Sequence, residues 1–187
     1  GLHLNRIEFL DEYCMKSINI SEKSTNHNEL PTLLFECAAR TKEIVNEQVN
    51  RVLEVAKLNE CVKYEVESDK DGEKLWKIRK SAFFASKSLR PEIENVHILT
   101  TDCAVPISRL PEFLNSTRQD LNEHDLKASI VAHAGDGNTH VFLLVDSSDP
   151  ADIKRAEEFR HRNASLALSY DGSCSGEHGV GLGKKEL

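Results

Sequence analysis

Two short apolar runs, Ala128–His133 and His140–Val145, are separated by only AGDGNT. Each run reads as a strand, and so brief a connection returns the chain antiparallel beside itself. Asp136–Gly137 is a strong two-residue turn signal, because both central positions of a type I′ turn require positive φ. A turn centred there sets Gly135 opposite Asn138, Ala134 opposite Thr139 and His133 opposite His140. Opposed residues share a face of the sheet, with Cβ atoms roughly 4.5–5.5 Å apart. The pattern therefore predicts two imidazoles that one metal ion can bridge. On these two residues alone, a histidine pair packed at a sheet edge is the competing reading. Gly135 and Gly137 permit close approach of another backbone or a ligand, while Asp136 serves equally well as a simple turn former.

The rest of the chain supplies helices and further strands. Ile7, Leu10, Cys14 and Ile18 keep helical spacing and predict a first helix. Thr32–Cys37 (TLLFEC), after Pro31, suits a buried strand. Val45, Val49, Val52 and Ala56 form the apolar face of a helix over Thr41–Leu58. Val62–Glu67 alternates as a half-buried strand should. A turn at Asp69–Gly72 leads into a helix reaching about Leu89, and Val96–Val105 is the next strand. Ser108 is the expected cap of a helix ending near Glu123. Pro150 opens a last helix to about Tyr170. Long helices, few strands and one tight hairpin point to an α+β fold, a ferredoxin-like antiparallel sheet covered by helices. The competitor is a doubly wound parallel sheet, which the hairpin disfavours.

Bulk properties narrow the partners. A net charge of -7 without a basic cluster argues against nucleic acid, whose phosphates need a positive surface. No run reaches the ~18 apolar residues of a membrane span. Cys14, Cys37, Cys61, Cys103 and Cys174 are scattered without a CxxC pair, which suits reduced thiols. The glycosylation sequons beginning at Asn19, Asn115 and Asn163 read as chance matches. The chain starts at Gly1 and stops at Leu187 just beyond a glycine-rich stretch, so a fragment of a longer protein is expected.

That stretch, GSCSGEHGVG over Gly172–Gly181, is the second one able to carry chemistry. Its glycines predict a bent loop holding Glu177 and His178 in a constrained place. Glu177 would complete a His, His, Glu set, the three-ligand pattern of a catalytic metal with an open position. His178 would stand beside the ion. A solvent-exposed connection is the alternative for this loop taken alone. GVGLGKK lacks the spacing of a phosphate loop or a dinucleotide fingerprint, and HExxH is absent.

Taken together, LWKIRKSA (Leu75–Ala82), TTDCAVPISRLPEF (Thr100–Phe113), HAGDGNTH (His133–His140) and SGEHGVG (Ser175–Gly181) resemble the C-terminal domain of FAD-linked oxidases over nearly the whole chain. That family includes enzymes oxidising D-lactate, D-2-hydroxyglutarate and glycolate. The wording of TTDCAVPISRLPEF looks most like the mitochondrial, fungal-type members acting on D-lactate. The resemblance implies a sheet that caps the substrate face of a flavin. It implies metal ligands at His133, His140 and Glu177, a catalytic base at His178, and Arg79 on the substrate carboxylate. Imidazole with carboxylate suits zinc or manganese rather than calcium. It further implies a mitochondrial flavin-dependent D-2-hydroxyacid dehydrogenase converting D-lactate to pyruvate, with electrons passed to cytochrome c. The FAD-binding domain and the closing flavin-contacting segment are expected outside residues 1–187. Relatives that hold 2-hydroxyglutarate carry a lysine before the position of Asp102. Here Thr100 and Thr101 stand instead, which favours a monocarboxylate. A metal-dependent hydrolase is the alternative from another class, because the same ligand set activates water.

Overall fold

The computed structural model describes residues 4–186. Its centre is the predicted hairpin, β5 (Ala128–His133) and β6 (Asn138–Asp146), inside one wholly antiparallel sheet. The other strands are β1 (Arg6–Leu10), β2 (Thr32–Glu36), β3 (Val96–Thr100) and the short β4 (Cys103–Ala104). Strand order is β2-β1-β5-β6-β3, with β4 continuing the edge along β6. No parallel ladder occurs among these residues.

Every residue of β5 but His133, and every residue of β6 but Asp146, is buried. The reason is that helices cover both faces. On one face α1 (Glu12–Glu22) and α3 (Asp69–Ala85) bring Cys14, Ile18, Ala82 and Ala85 against Leu10, Val131, Phe142 and Leu144. On the other, α4 (Leu110–Glu123) and α5 (Pro150–Ser169) set Leu121, Ala156 and Phe159 on Ile130, Val141 and Leu143. Each large side chain buried here contributes about 1.5–3 kcal/mol of transfer free energy. Period-two alternation thus sorts one hairpin into two half-cores.

Several expectations need correction. Arg6–Leu10 is a strand, not the start of a helix, because it pairs on both sides with β2 and β5. The helix begins only after Asp11, whose carboxylate accepts from the Cys14 N–H at 2.7 Å. β2 is an edge strand and not buried; Leu33 remains 51% exposed. Val62–Glu67 forms no ladder and lies exposed despite its alternation. The helix over Lys42–Leu58 (α2) forms as expected, with Thr41 as its cap, but none of its residues is fully buried. Asp69–Gly72 lies inside α3 and forms no turn, and the helix continues as a 3-10 segment over Ser86–Leu89. Ser108 sits in a 3-10 turn (Ile107–Arg109), so α4 begins at Leu110 without a side-chain cap.

The single strand expected over Val96–Val105 breaks at Thr101–Asp102 into β3 and β4, both paired with β6. The Thr101 hydroxyl accepts from the Val141 N–H at 3.1 Å, filling the gap in the ladder with a side chain. The break frees the Thr101 carbonyl and the Asp102 carboxylate for other work.

Candidate metal centre

The hairpin turn differs from the one expected. Only Gly137 has positive φ (75°) and Asp136 does not, so a type I′ pair is ruled out. The loop runs over residues 134–137 instead, and the Asp136 N–H donates to the His133 carbonyl at 2.9 Å. Neighbours impose this form. Val105 N–H donates to the Gly137 carbonyl at 3.0 Å, and a Cβ at Gly137 would collide with the Val105 carbonyl. The register therefore sets His133 opposite Asn138, and Val131 opposite His140. The two histidines are diagonal neighbours and not directly opposed. A diagonal offset keeps them on one face and within reach of long side chains. Their rings lie 5.4 Å apart between centroids, nearly perpendicular at 83°.

Glu177 comes to the same point from the segment after α5. This segment is tied back to the sheet edge by the Ala104–Ser173 bridge. The Glu177 carboxylate lies 3.0 Å from His140 Nε2 and 3.4 Å from His133 Nε2. Two donors each about 2.0–2.2 Å from one ion are themselves roughly 3.0–3.5 Å apart at tetrahedral or octahedral angles. The spacing fits. His178 stacks flat on His140, with centroids 4.9 Å apart and planes 11° from parallel. Its Nε2 is 3.7 Å from the Glu177 carboxylate. The two neighbours do not splay apart as extended backbone would make them; both turn toward His140.

Groups behind the ring nitrogens set their tautomers. His133 Nδ1 lies 2.8 Å from a Glu8 carboxylate oxygen, and His140 Nδ1 lies 3.2 Å from the Thr101 carbonyl. Acceptors at both Nδ1 atoms leave both Nε2 lone pairs facing the centre, as metal-ligating histidines require. Burial holds the His140 pKa below its ordinary value, helped by the neighbouring His178 and His133. The hydrogen bond to Glu8 raises that of His133 against burial. Glu8 is itself buried, which opposes its charge, but His133 and Arg79 together hold its pKa below the usual value.

Arg79 projects from α3 toward the same sheet face. Its Nε donates to Glu8 at 2.8 Å, which links it to His133 through one carboxylate. Trp76 and Phe83 share its side of the helix, against Arg6 of β1 and Phe142 of β6 respectively. All five residues expected at the site are therefore gathered at one end of the sheet.

Two participants lie outside the residues expected at the site. Glu8 has no local signal, because the sequence around it keeps helical spacing although it forms β1. Asp102 lies in an apolar run that reads as one strand, and the lone acid amid TTDCAV is its only signal. Among the described residues, Asp102, His140 and His178 also meet the spacing of a ligand set, as His133, His140 and Glu177 do. The second set is the better one. Asp102 already accepts five donors, including the Lys184 ammonium at 2.9 Å, whose charge opposes a cation.

With this geometry in place, the comparisons with known proteins decide the family. The model for FAD linked oxidases, C-terminal domain, matches residues 1–187. The chain belongs to that family. It is 38% identical over its full length to "D-lactate dehydrogenase [cytochrome] 1, mitochondrial" of Saccharomyces cerevisiae, and 36% to the corresponding protein of Kluyveromyces lactis. It covers 32% of each of those relatives, about a third of their length. The glycolate oxidase subunit GlcD of Escherichia coli is 35% identical over 59% of the chain, covering 21% of GlcD. Among solved structures, 4-ethylphenol oxidase from Gulosibacter chungangensis superposes with a TM-score of 0.51 at 11% identity. That match covers 86% of this chain and 38% of the oxidase, and establishes the fold alone.

Proposed function

We propose that this chain is the substrate- and metal-binding part of a mitochondrial, flavin-dependent D-2-hydroxyacid dehydrogenase that oxidises D-lactate to pyruvate. The observation that carries the proposal is the convergence of His133, His140 and Glu177 with His178 stacked alongside, in a domain of the FAD-linked oxidase family. When bound, zinc or manganese would supply Lewis acidity toward the substrate hydroxyl, and FAD would supply the hydride acceptor.

The chain's own residues do the rest. Arg79, with Nε engaged by Glu8, turns its Nη groups to the substrate carboxylate in a bidentate pair. His178 takes the 2-hydroxyl proton at Nε2, since imidazole is the side chain able to accept a proton near neutral pH. The C2 hydride leaves as that proton is removed. Electrons then pass to a cytochrome, as the names of the two yeast relatives suggest.

Thr100 argues for a monocarboxylate. It pairs with Phe142 and so lies on the face that carries His140 two residues along. Its hydroxyl brings no charge to hold a second carboxylate, and burying one unpaired is costly. The test is stopped-flow reduction of the flavin in full-length protein. D-Lactate should reduce it, L-lactate should not, and chelation followed by manganese should abolish and restore the reaction. Reduction that is indifferent to chelation would remove the metal from the proposal.

A further inference from the structure

We infer that Asp102 is the positioning residue of this centre, the anchor on which the Ser175–His178 loop is wound so that Glu177 and His178 both reach His140. The inference rests on the metal reading above for its functional consequence.

Asp102 is 1% exposed and sits in the break between β3 and β4. One carboxylate oxygen accepts from Glu177 N–H at 3.1 Å. The other accepts from Gly176 N–H at 3.1 Å, His178 N–H at 3.0 Å, the Ser175 hydroxyl at 3.3 Å and Lys184 Nζ at 2.9 Å. In extended backbone, successive N–H groups point alternately to opposite sides. Here three in a row turn to one anion, the concave arrangement in which a chain wraps a negative charge. Gly176 makes the winding possible, since it lies against the Asn138 side chain with no space for a Cβ. Burial opposes the charge on Asp102, but Lys184 and the loop N–H groups outweigh it and hold the carboxyl well below the usual range.

The adjacent residue completes the device. The Thr101 carbonyl receives His140 Nδ1, so one break in one strand orients a ligand ring and, one residue on, winds the loop that brings the third ligand. The Asp102 carboxylate is engaged by the N–H groups of Gly176, Glu177 and His178 and makes no hydrogen bond to the ring nitrogens of His133 or His140, so it acts on the ligand set through the loop backbone.

Asp102→Asn puts an NH2 group where N–H donors must be received, at almost unchanged volume. Full-length wild type, Asp102→Asn, Glu177→Gln and the double variant are compared by Mn2+ titration, read from the EPR signal of free ion, and by amide exchange of the loop. In wild type the 176–178 amides should be protected; free exchange there overturns the anchor outright, whether or not the variant folds. Asp102→Asn should lose that protection and weaken Mn2+ by about 10–100-fold, the range for supporting groups behind metal ligands. Its loss should not add to that of Glu177→Gln, because both remove the same ligand. Full additivity, or unchanged affinity with an exposed loop, overturns the positioning role. Lys184→Met removes one of the five donors and, among the described residues, the only charge partner of Asp102, so it should cost stability. The four loop donors should still keep the loop protected, and Mn2+ binding should weaken less than in Asp102→Asn. Loss of the loop in that variant would make the lysine the anchor instead. Wild type that binds no Mn2+ but shows Asp102-dependent loop protection would sink the metal reading while upholding the anchor.

Discussion

His133 and His140 meet the same centre from unlike surroundings, and this has a consequence in pH. Glu8 favours a proton on His133, whose pKa is raised, whereas burial keeps His140 neutral. A metal must displace the His133 proton, so affinity is full above the raised pKa and falls as pH drops through it. For one displaced proton the fall is about tenfold per pH unit. Mn2+ titrations of full-length protein should therefore begin to weaken above pH ~6.5, the ordinary imidazole value. Glu8→Gln should shift that onset downward. His178 and Glu177 separate in the same way by role. His178→Ala should slow flavin reduction roughly 10²–10⁴-fold with metal content intact, whereas Glu177→Ala should lose metal and activity together; the reverse pattern would exchange the two roles. Thr100→Lys places a cation on the substrate face. It should narrow the kcat/KM preference for D-lactate over D-2-hydroxyglutarate, expected at about tenfold or more, one pairing interaction's worth. Equal turnover of both acids by wild type would refute the monocarboxylate reading.

Among the elements, α5 is held at its start by a buried charge pair. Asp152, 4% exposed, accepts from Arg90 at 2.6 Å and from the Asp146 N–H at 2.8 Å, while Arg90 also caps the Leu144 carbonyl. Asp152→Ala removes the buried partner of Arg90 and leaves it only the exposed Glu92 at 3.4 Å, so it should cost up to ~3–5 kcal/mol in urea unfolding. Burial opposes the Asp152 charge, but these hydrogen bonds bring its pKa below the usual value. Its contribution is thus complete above the unfolded carboxylate pKa of ~3.9 and is lost as pH falls below that. Wild type should lose stability more steeply than Asp152→Asn in that acid window. α2 is the contrasting case. With no residue fully buried, its amides should exchange through local openings well below the free energy that protects β5 and β6. Equal protection of α2 and the hairpin would contradict this.

At the scale of the whole molecule, the centre fastens three separate parts of the fold: the hairpin, the strand break and the segment after α5. A ligand that binds only the folded form stabilises it, by about 2.7 kcal/mol at a hundred times its Kd. Melting of the full-length protein should therefore rise with Mn2+ and fall with chelator, and Glu177→Ala should abolish the response. Much of this was legible in the chain itself. Two apolar runs joined by a short glycine-bearing link declared the hairpin, and a slip of two residues in register left His133 and His140 on one face, because the side-chain period is two. The glycines around Glu177 and His178 declared a bent loop, and the four motifs together declared the family. Other features depended on contacts between distant segments. Arg6–Leu10 became a strand because β5 and β2 flank it, although its own spacing continued a helix. Val62–Glu67 alternated but found no strand to pair with. The carboxylates behind the site, Glu8 and Asp102, had no local signature, since each acts on groups 71 to 125 residues away or 73 to 82 residues away. Local pattern can determine which way a side chain faces, because that is a property of the backbone period. It cannot determine what the side chain meets, because that is decided only when remote segments exclude water from the same few ångströms.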